Sequence, residues 1–244
     1  MATPHTVLSF IVPAHNEAAS IVATVQAIVA AAEASGSAYE VIVVDDASTD
    51  DTATLASAAG ARVVAIAARQ IAAARNAGAG AARGQTLVFV DADTLIGVDV
   101  VRGVLRVIAA GAVGGGAAIH FDEPLPRWVR LVLPLSIWLA RRTRFTGGCF
   151  IFATQVAFAA AGGFDERLFA AEELALCRGL HRQGRFVILR EAVLTSGRKL
   201  RSYSGWEILR SMFAIGLAGR GGLRDRRRLD IWYGPRRPDP REPH

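Results

Sequence analysis

One short stretch limits the folds open to this chain. Gln85-Thr86-Leu87-Val88-Phe89-Val90 is a β-rich run that ends at once in Asp91-Ala92-Asp93-Thr94. Leu87 to Val90 show no polar alternation, which predicts a strand buried on both faces. Open sheets built from such strands bind ligands beyond the carboxyl ends of the strands. Asp91 and Asp93, one residue apart, fall on the same side of an extended backbone. They repel unless a cation or hydrogen-bond donors compensate. Oxygen ligands of this kind suit Mg2+ or Mn2+, with substrate phosphates commonly completing the coordination. The alternative is a polar loop in which Asp93 or Thr94 caps the next helix.

The residues before this stretch set its context. Val7 to Val12 read as a strand that stops at Pro13, Ala14-His15-Asn16-Glu17 as a turn, and Ala18 to Ala34 as an Ala-rich helix that Gly36 ends. Tyr39 to Val44 form a second apolar strand ending in Asp45-Asp46, and Ser48 or Asp50 caps the helix that follows. Arg62 to Ile66 make a third strand, and Gln70 to Arg83 a helix stopped by Gly84. Regular alternation of strand and helix predicts an α/β fold, a Rossmann-like, mainly parallel sheet flanked by helices. Three strand ends then share one rim: Pro13 to Glu17, Asp45-Asp46, and Asp91-x-Asp93. That convergence predicts a binding site.

The second half is less regular. Val98 to Ala110 read as a helix, Ala117 to Phe121 as a strand, Cys149 to Phe152 as a strand after Gly147-Gly148, and Gly162 to Glu166 as a turn. Ala170 to Arg182 form a helix opening with Glu172-Glu173, where acids suit the positive helix end. Phe186 to Leu189 follow as a strand, Thr195 to Arg198 as a loop, and Trp206 to Leu217 as a helix. Arg127 to Arg144 mix Trp128, Leu131, Leu133, Ile137 and Trp138 with arginines. This segment lies on a membrane surface, lines an acceptor groove, or is an ordinary helix with its stripe in the core.

Charge and cysteines narrow the class. Formal net charge is +6, yet residues 180–244 hold 15 Lys and Arg against 6 Asp and Glu, so the cations gather at the C-terminal end. A basic end of this kind suits phosphates or anionic lipid. No nucleic-acid-binding pattern accompanies it, so a nucleic-acid partner is not expected. With 52% hydrophobic residues and no apolar run long enough to span a bilayer, the expectation is a folded cytoplasmic protein, peripheral at most on the inner membrane face. Cys149 and Cys177 lack C-x-x-C spacing and fit a reducing compartment.

Taken in order, the motifs carry a family resemblance. Val12-Pro13-Ala14-His15-Asn16-Glu17, Val43-Val44-Asp45-Asp46-Ala47-Ser48-Thr49-Asp50-Asp51-Thr52, Arg69 through Asn76-Ala77-Gly78, Asp91-Ala92-Asp93, Gly162-Gly163-Phe164-Asp165-Glu166 and Glu172-Glu173 all follow the family's order. The chain resembles a family 2 glycosyltransferase, inverting and of GT-A fold, over roughly residues 7–185. The resemblance implies one domain over 1–223, with a nucleotide-binding half to about 95, an acceptor half beyond it, and a Pro/Arg-rich tail over 224–244. It implies a nucleoside diphosphate sugar as donor, with Pro13, Ala14, Glu17 and Asp46 around the nucleoside and Asp45 in support. Arg75 would approach the nucleotide, with a surface salt bridge as its alternative; Asp91 would contact ribose, and Asp93 would bind Mg2+ or Mn2+. Glu173, or Glu172 beside it, would take the acceptor proton, although the family usually has Glu-Asp there. The acceptor would be a glycan, a lipid-linked or polyprenyl phosphate, or a small molecule.

Trp206 follows Ser202-Tyr203-Ser204-Gly205, not the Gln-x-x-Arg-Trp of processive members, so single-sugar transfer is expected. Arg198, Lys199 and Arg201 would fold over the diphosphate, or form a solvated basic loop. Gly78-Ala79-Gly80-Ala81-Ala82-Arg83-Gly84 is not a dinucleotide fingerprint, because it closes a helix and precedes a strand. The alternative to an enzyme is a scaffold that binds a sugar nucleotide or lipid phosphate without turnover.

Overall fold

The computed structural model describes residues 8–122, 125–126, 128–130, 146, 148–207, 210 and 223–224, with only the backbone of Lys199. The Arg127–Arg144 segment lies outside these apart from 128–130, as do Gly147, most of the Trp206–Leu217 helix and the tail beyond 224.

Alternating strands and helices build the first half as expected: β1 (Leu8–Ala14), α1 (Ile21–Ser35), β2 (Tyr39–Asp46), α2 (Thr52–Ala58), β3 (Arg62–Ile66), α3 (Ile71–Ala81) and β4 (Thr86–Val90). Then follow β5 (Thr94–Leu95), α4 (Val98–Ala109), β6 (Ala112–Phe121), β7 (Phe150–Thr154), α5 (Gln155–Ala160), α6 (Glu172–Gln183), β8 (Arg185–Thr195) and α7 (Arg198–Ser202). All eight strands join one sheet in the order β3-β2-β1-β4-β7-β6-β8-β5. β1 to β4 pair parallel, as do β6 and β8, whereas β7 and β5 run antiparallel to their neighbours. The carboxyl ends of β1, β2, β3, β4, β6 and β8 therefore meet at one rim, together with the start of β7.

Period-two alternation sends each strand's side chains to two cores. Leu8, Phe10, Val12, Val41, Val43, Val88 and Val90 pack towards α1 and α4. Ile11, Ile42, Val44, Leu87 and Phe89 pack towards α3, α5 and α6, where Phe89, Phe158 and Phe164 form an aromatic cluster with centroids 5.0–5.8 Å apart. Gly78 lets α3 approach the sheet: a Cβ there would lie 2.3 Å from Ile11 Cγ2.

Several expectations need correction. β1 runs through Pro13, which stands in register with Val44, and does not stop there. Asp91 and Asp93 do not share one face of an extended backbone, because Thr94 N donates to Asp91 O at 3.0 Å and closes a turn. Asp93 and Thr94 cap no helix; Thr94 begins β5, and α4 starts after Gly97. β6 begins at Ala112 and β8 extends to Thr195, both longer than their apolar cores suggest.

Candidate functional site

Strand parity decides where the paired acids point. Asp46 follows Ile42 and Val44 onto the α3 side, and its carboxylate accepts from Arg69 N at 2.6 Å and Gln70 N at 2.7 Å. These are N–H groups at the α3 N-terminus, which have no partner within the helix. Asp46 is thus a cap, with both oxygens occupied by backbone donors. Asp45 follows Val41 and Val43 to the opposite face, where its Oδ1 is buried without a hydrogen-bond partner. A buried carboxylate oxygen without a donor is costly, so this one asks for a ligand or water.

The turn after β1 and the loop after β2 are laced together. Asn16 N donates to Ser48 Oγ at 3.0 Å, Thr49 N to Asn16 Oδ1 at 2.7 Å, and Glu17 N to Thr52 Oγ1 at 2.8 Å. Asp50 accepts from Ala18 N and Thr52 N and so supports the α2 start, but the N-cap residue is Asp51 and not Ser48 or Asp50. His15 Nδ1 donates to Asp46 O at 2.9 Å. This lacing holds Pro13, Ala14, Glu17 and Asp45 in one corner. Arg198 of α7 reaches that corner, with its guanidinium 3.6 Å from Glu17, while Arg201 pairs with Asp122 at 2.8 Å.

The Asp91–Thr94 turn is fastened from several sides. Asp91 N donates to Cys149 O at 3.0 Å, Thr24 Oγ1 to Ala92 O at 2.8 Å, and Ser196 N to Asp93 O at 3.2 Å. Asp91 continues the parity of Leu87 and Phe89 and so faces α3. There Arg75, only 1% exposed, donates through Nη2 to Asp91 Oδ1 at 2.9 Å and Gly148 O at 2.8 Å, and through Nη1 to Glu172 Oε1 at 2.8 Å. The alternative of a surface salt bridge for Arg75 is overturned by this burial. Burial works against the Arg75 charge, but Asp91, Glu172 and Glu173 outweigh it and hold the guanidinium above its ordinary value.

Glu172 and Glu173 open α6, with His181 and Arg182 in its last turn, matching the helix dipole at both ends. Glu172 is buried and tied to Arg75. Glu173 is raised to about 7 by burial and by the Glu172 charge, with Arg75 opposing. The two neighbours differ accordingly: one is held in an ion pair, and the other is poised to exchange a proton near neutrality. A Cβ on Gly148 would stand 3.4 Å from Arg75 and 3.7 Å from the Glu173 carboxyl, so Gly148 borders both. Nearby, burial and the Asp91 and Asp93 charges push the Cys149 thiol well up, so it is no nucleophile.

Backbone strain marks the same rim. Asn16, Ala47, Arg69 and Ala171 have φ between 51° and 59°. They follow β1, β2 and β3 and precede Glu172; strained residues gather where function over-determines the chain. Two residues without a sequence-based role complete the frame. Asn76 Nδ2 donates to Phe164 O at 2.9 Å while its Oδ1 accepts from Phe164 N at 3.0 Å, and Gln70 Nε2 donates to Glu166 O and Leu168 O. Asn76 stood in the Arg69–Gly78 match, and its place beside Arg75 was the available signal.

Among the described residues no group of three or more His, Cys, Asp or Glu forms a metal site. The acids of the turn offer oxygen donors alone, a set that fits Mg2+ or Mn2+ whose remaining positions go to substrate phosphates.

A sheet with carboxylates at its carboxyl rim and a carboxylate-headed helix beside them is the architecture of a GT-A nucleotide-sugar transferase. Residues 9–161 match the family described as glycosyl transferase family 2, and the chain belongs to that family. Solved structures share the fold. The mannosyltransferase PcManGT of Pyrobaculum calidifontis, in complex with GDP-Man and Mn2+, has 20% identity and a TM-score of 0.65, over 86% of this chain and 61% of that one. Staphylococcus aureus TarS 1-349 with UDP-GlcNAc has 17% identity and a TM-score of 0.62, over 87% and 66%. Glucosyl-3-phosphoglycerate synthase from Mycobacterium tuberculosis, with Mn2+, UDP and glucosyl-3-phosphoglycerate, has 20% identity and a TM-score of 0.58, over 91% and 82%. The chain spans just under two thirds of TarS 1-349 and of PcManGT. No curated protein matches the sequence.

Proposed function

We propose that this chain transfers a single sugar from a nucleoside diphosphate sugar to an acceptor hydroxyl, with inversion at the anomeric carbon. One observation carries the reading: a single guanidinium, Arg75, holds both Asp91 and Glu172, which brings the donor-side turn and the base helix to one rim. Glu173 takes the acceptor proton. The new C–O bond forms opposite the breaking bond to phosphate, and the nucleoside diphosphate leaves. The family pattern supports inversion, and the pairing of Glu172 with Arg75 supports Glu173 as the base.

Pro13, Ala14 and Glu17 border the nucleoside. Asp45, with its orphaned oxygen, accepts from a ring N–H, while Asp46 shapes the corner from behind. Asp91 contacts ribose, and Asp93 binds Mg2+ or Mn2+. The ion, when bound with the donor, offsets the charge of the departing diphosphate. Neighbouring structures hold UDP, UDP-GlcNAc and GDP-Man, two of them with Mn2+, which supports this donor class. The acceptor is a glycan, a lipid-linked phosphate or a small molecule. No described helix is long and apolar enough to cross a membrane.

Calorimetric titration of UDP, GDP, CDP and dTDP, with and without Mn2+, tests the proposal. Metal-dependent binding of one of these, lost in Asp93→Ala, is expected. An absence of binding to every nucleotide under every metal condition would sink the transferase reading and leave the scaffold.

A further inference from the structure

The Arg75 side chain is out of place for its sequence. It rises from the Ala-rich α3, where an arginine is normally solvated. Here it is among the largest fully buried side chains. Burying a guanidinium is expensive unless its donors are satisfied by charged partners. Nη1 and Nη2 make bonds of 2.8–2.9 Å to Glu172, Asp91 and the Gly148 carbonyl, and the Cζ lies 5.1 Å over the Phe164 ring. Nε is buried with no partner. Its described hydrogen bonds reach three separate chain segments, all at the site.

We propose that Arg75 is a positioning residue that ties Asp91 to Glu172, so that the donor turn and the base helix keep one geometry, and that it does not itself touch the nucleotide. The assignment rests on the transferase reading for its consequence in turnover. The planar fork is what makes the tie possible. A guanidinium points its two terminal nitrogens at different carboxylates, while a lysine ammonium is a point charge on a flexible stem. Asn76 and Gln70 reinforce the tie by anchoring the Phe164–Leu168 loop that leads into α6.

The tie also sets the surroundings of Glu173. The charged groups facing it are Glu172 on its own helix and Arg75 from α3; Cys177, one turn along α6, is itself raised to about 11 by burial and by Glu173. With Glu172 engaged by Arg75, Glu173 is left as the group that accepts the proton.

Two measurements test the proposal on the full chain. The first is calorimetry of UDP and GDP, each with Mn2+ and with EDTA, on wild type and Arg75→Lys. Losing one charge-assisted bond to Asp91, which contacts ribose, should weaken binding about tenfold with Mn2+ and with EDTA alike, and the same substitution in an Asp91→Asn background should add little. Full additivity of Arg75→Lys and Asp91→Asn would mean that Arg75 contacts the nucleotide directly, and no change on Arg75→Lys would mean that Asp91 does not depend on it; both overturn the proposal. The second is 13C NMR titration of the Glu173 carboxyl. Its midpoint should move above the wild-type value in Arg75→Gln and below it in Glu172→Gln. A merely structural arginine would not produce opposite displacements, and a stationary midpoint in Glu172→Gln, even if Arg75→Gln fails to fold, overturns the coupling. A wild type that binds none of UDP, GDP, CDP and dTDP would end the transferase reading, while the Glu173 titration still decides the role of Arg75.

Discussion

Glu173→Gln should make the protein more stable while abolishing its chemistry. A Glu carboxyl ionises near 4.5 in an unfolded chain, and this one is raised to about 7 in the fold by burial and by Glu172. Between those values the folded protein keeps a proton that the unfolded chain has released. Stability therefore falls as pH rises from about 4.5 to about 7 and stays at the lower level above that. A displacement of this size corresponds to about 3 kcal/mol. Glu173 keeps some solvent contact at the rim, and screening trims the figure to between about 1 and 3 kcal/mol. Glutamine is neutral throughout and escapes the penalty. Urea denaturation in EDTA at about pH 5 and about pH 8 reads the effect: the two proteins should be close at the lower pH, with the variant ahead at the higher. Turnover should fall by about 10²–10⁴, the usual contribution of a general base. A stability difference that is the same at both pH values would refute the argument, because it would place the effect in packing and not in the proton.

Four further substitutions probe the frame. Asp46→Ala removes the acceptor for Arg69 N and Gln70 N and should cost about 2 kcal/mol in urea denaturation, with Asp46→Asn recovering part of it. Asp45→Asn should hold or raise the melting temperature, since Asp45 Oδ1 has no partner to lose, yet weaken nucleotide binding about tenfold; unchanged calorimetric affinity would make the carboxylate irrelevant to the ligand. Gly78→Ala forces a methyl group to 2.3 Å from Ile11 Cγ2 and should cost about 1–3 kcal/mol. Ala171→Gly relieves a left-handed residue at φ 59° and should raise the unfolding midpoint slightly while lowering kcat, because the Glu173 helix start is then less firmly held.

The first half of the chain is legible because its signals are local. Apolar runs of strand length, a glycine at φ 75° closing α1 and acids at strand ends can each be read within a few residues. What failed to show was set by tertiary partners. Asp45 and Asp46 adjoin in sequence, and which of them is held by backbone donors depends on which face α3 covers. β6 was read only from Ala117 because Gly114-Gly115-Gly116 lower strand propensity. Those glycines are required by packing: a Cβ on Gly115 would lie 1.9 Å from Val187 O, and one on Gly116 2.0 Å from Thr146 Oγ1. β5, two residues long, has no periodicity to detect, and it exists because Thr94 and Thr195 pair across a distant part of the chain through a buried hydroxyl contact of 2.8 Å.

The buried arginine explains why the least legible contact is also the most consequential. Only the family resemblance places Arg75 near the site, since nothing nearby in sequence announces the carboxylates it will meet. Its partners Asp91 and Glu172 stand 16 and 97 residues away. Yet α3 is anchored at several points along the rim. Asp46 caps its start, Gly78 sets its distance from β1, Arg75 binds the Asp91 turn and the head of α6, and Gln70 and Asn76 hold the loop between α5 and α6. One rigid helix anchored at this many points fixes the separation of the Asp91 turn and the head of α6 more closely than independent loops could. Three of the four strained residues, Ala47, Arg69 and Ala171, adjoin Asp46, Gln70 and Glu172, where those anchors attach. Loosening any one anchor should therefore be felt first in the geometry between Asp91 and Glu173, and only afterwards in global stability.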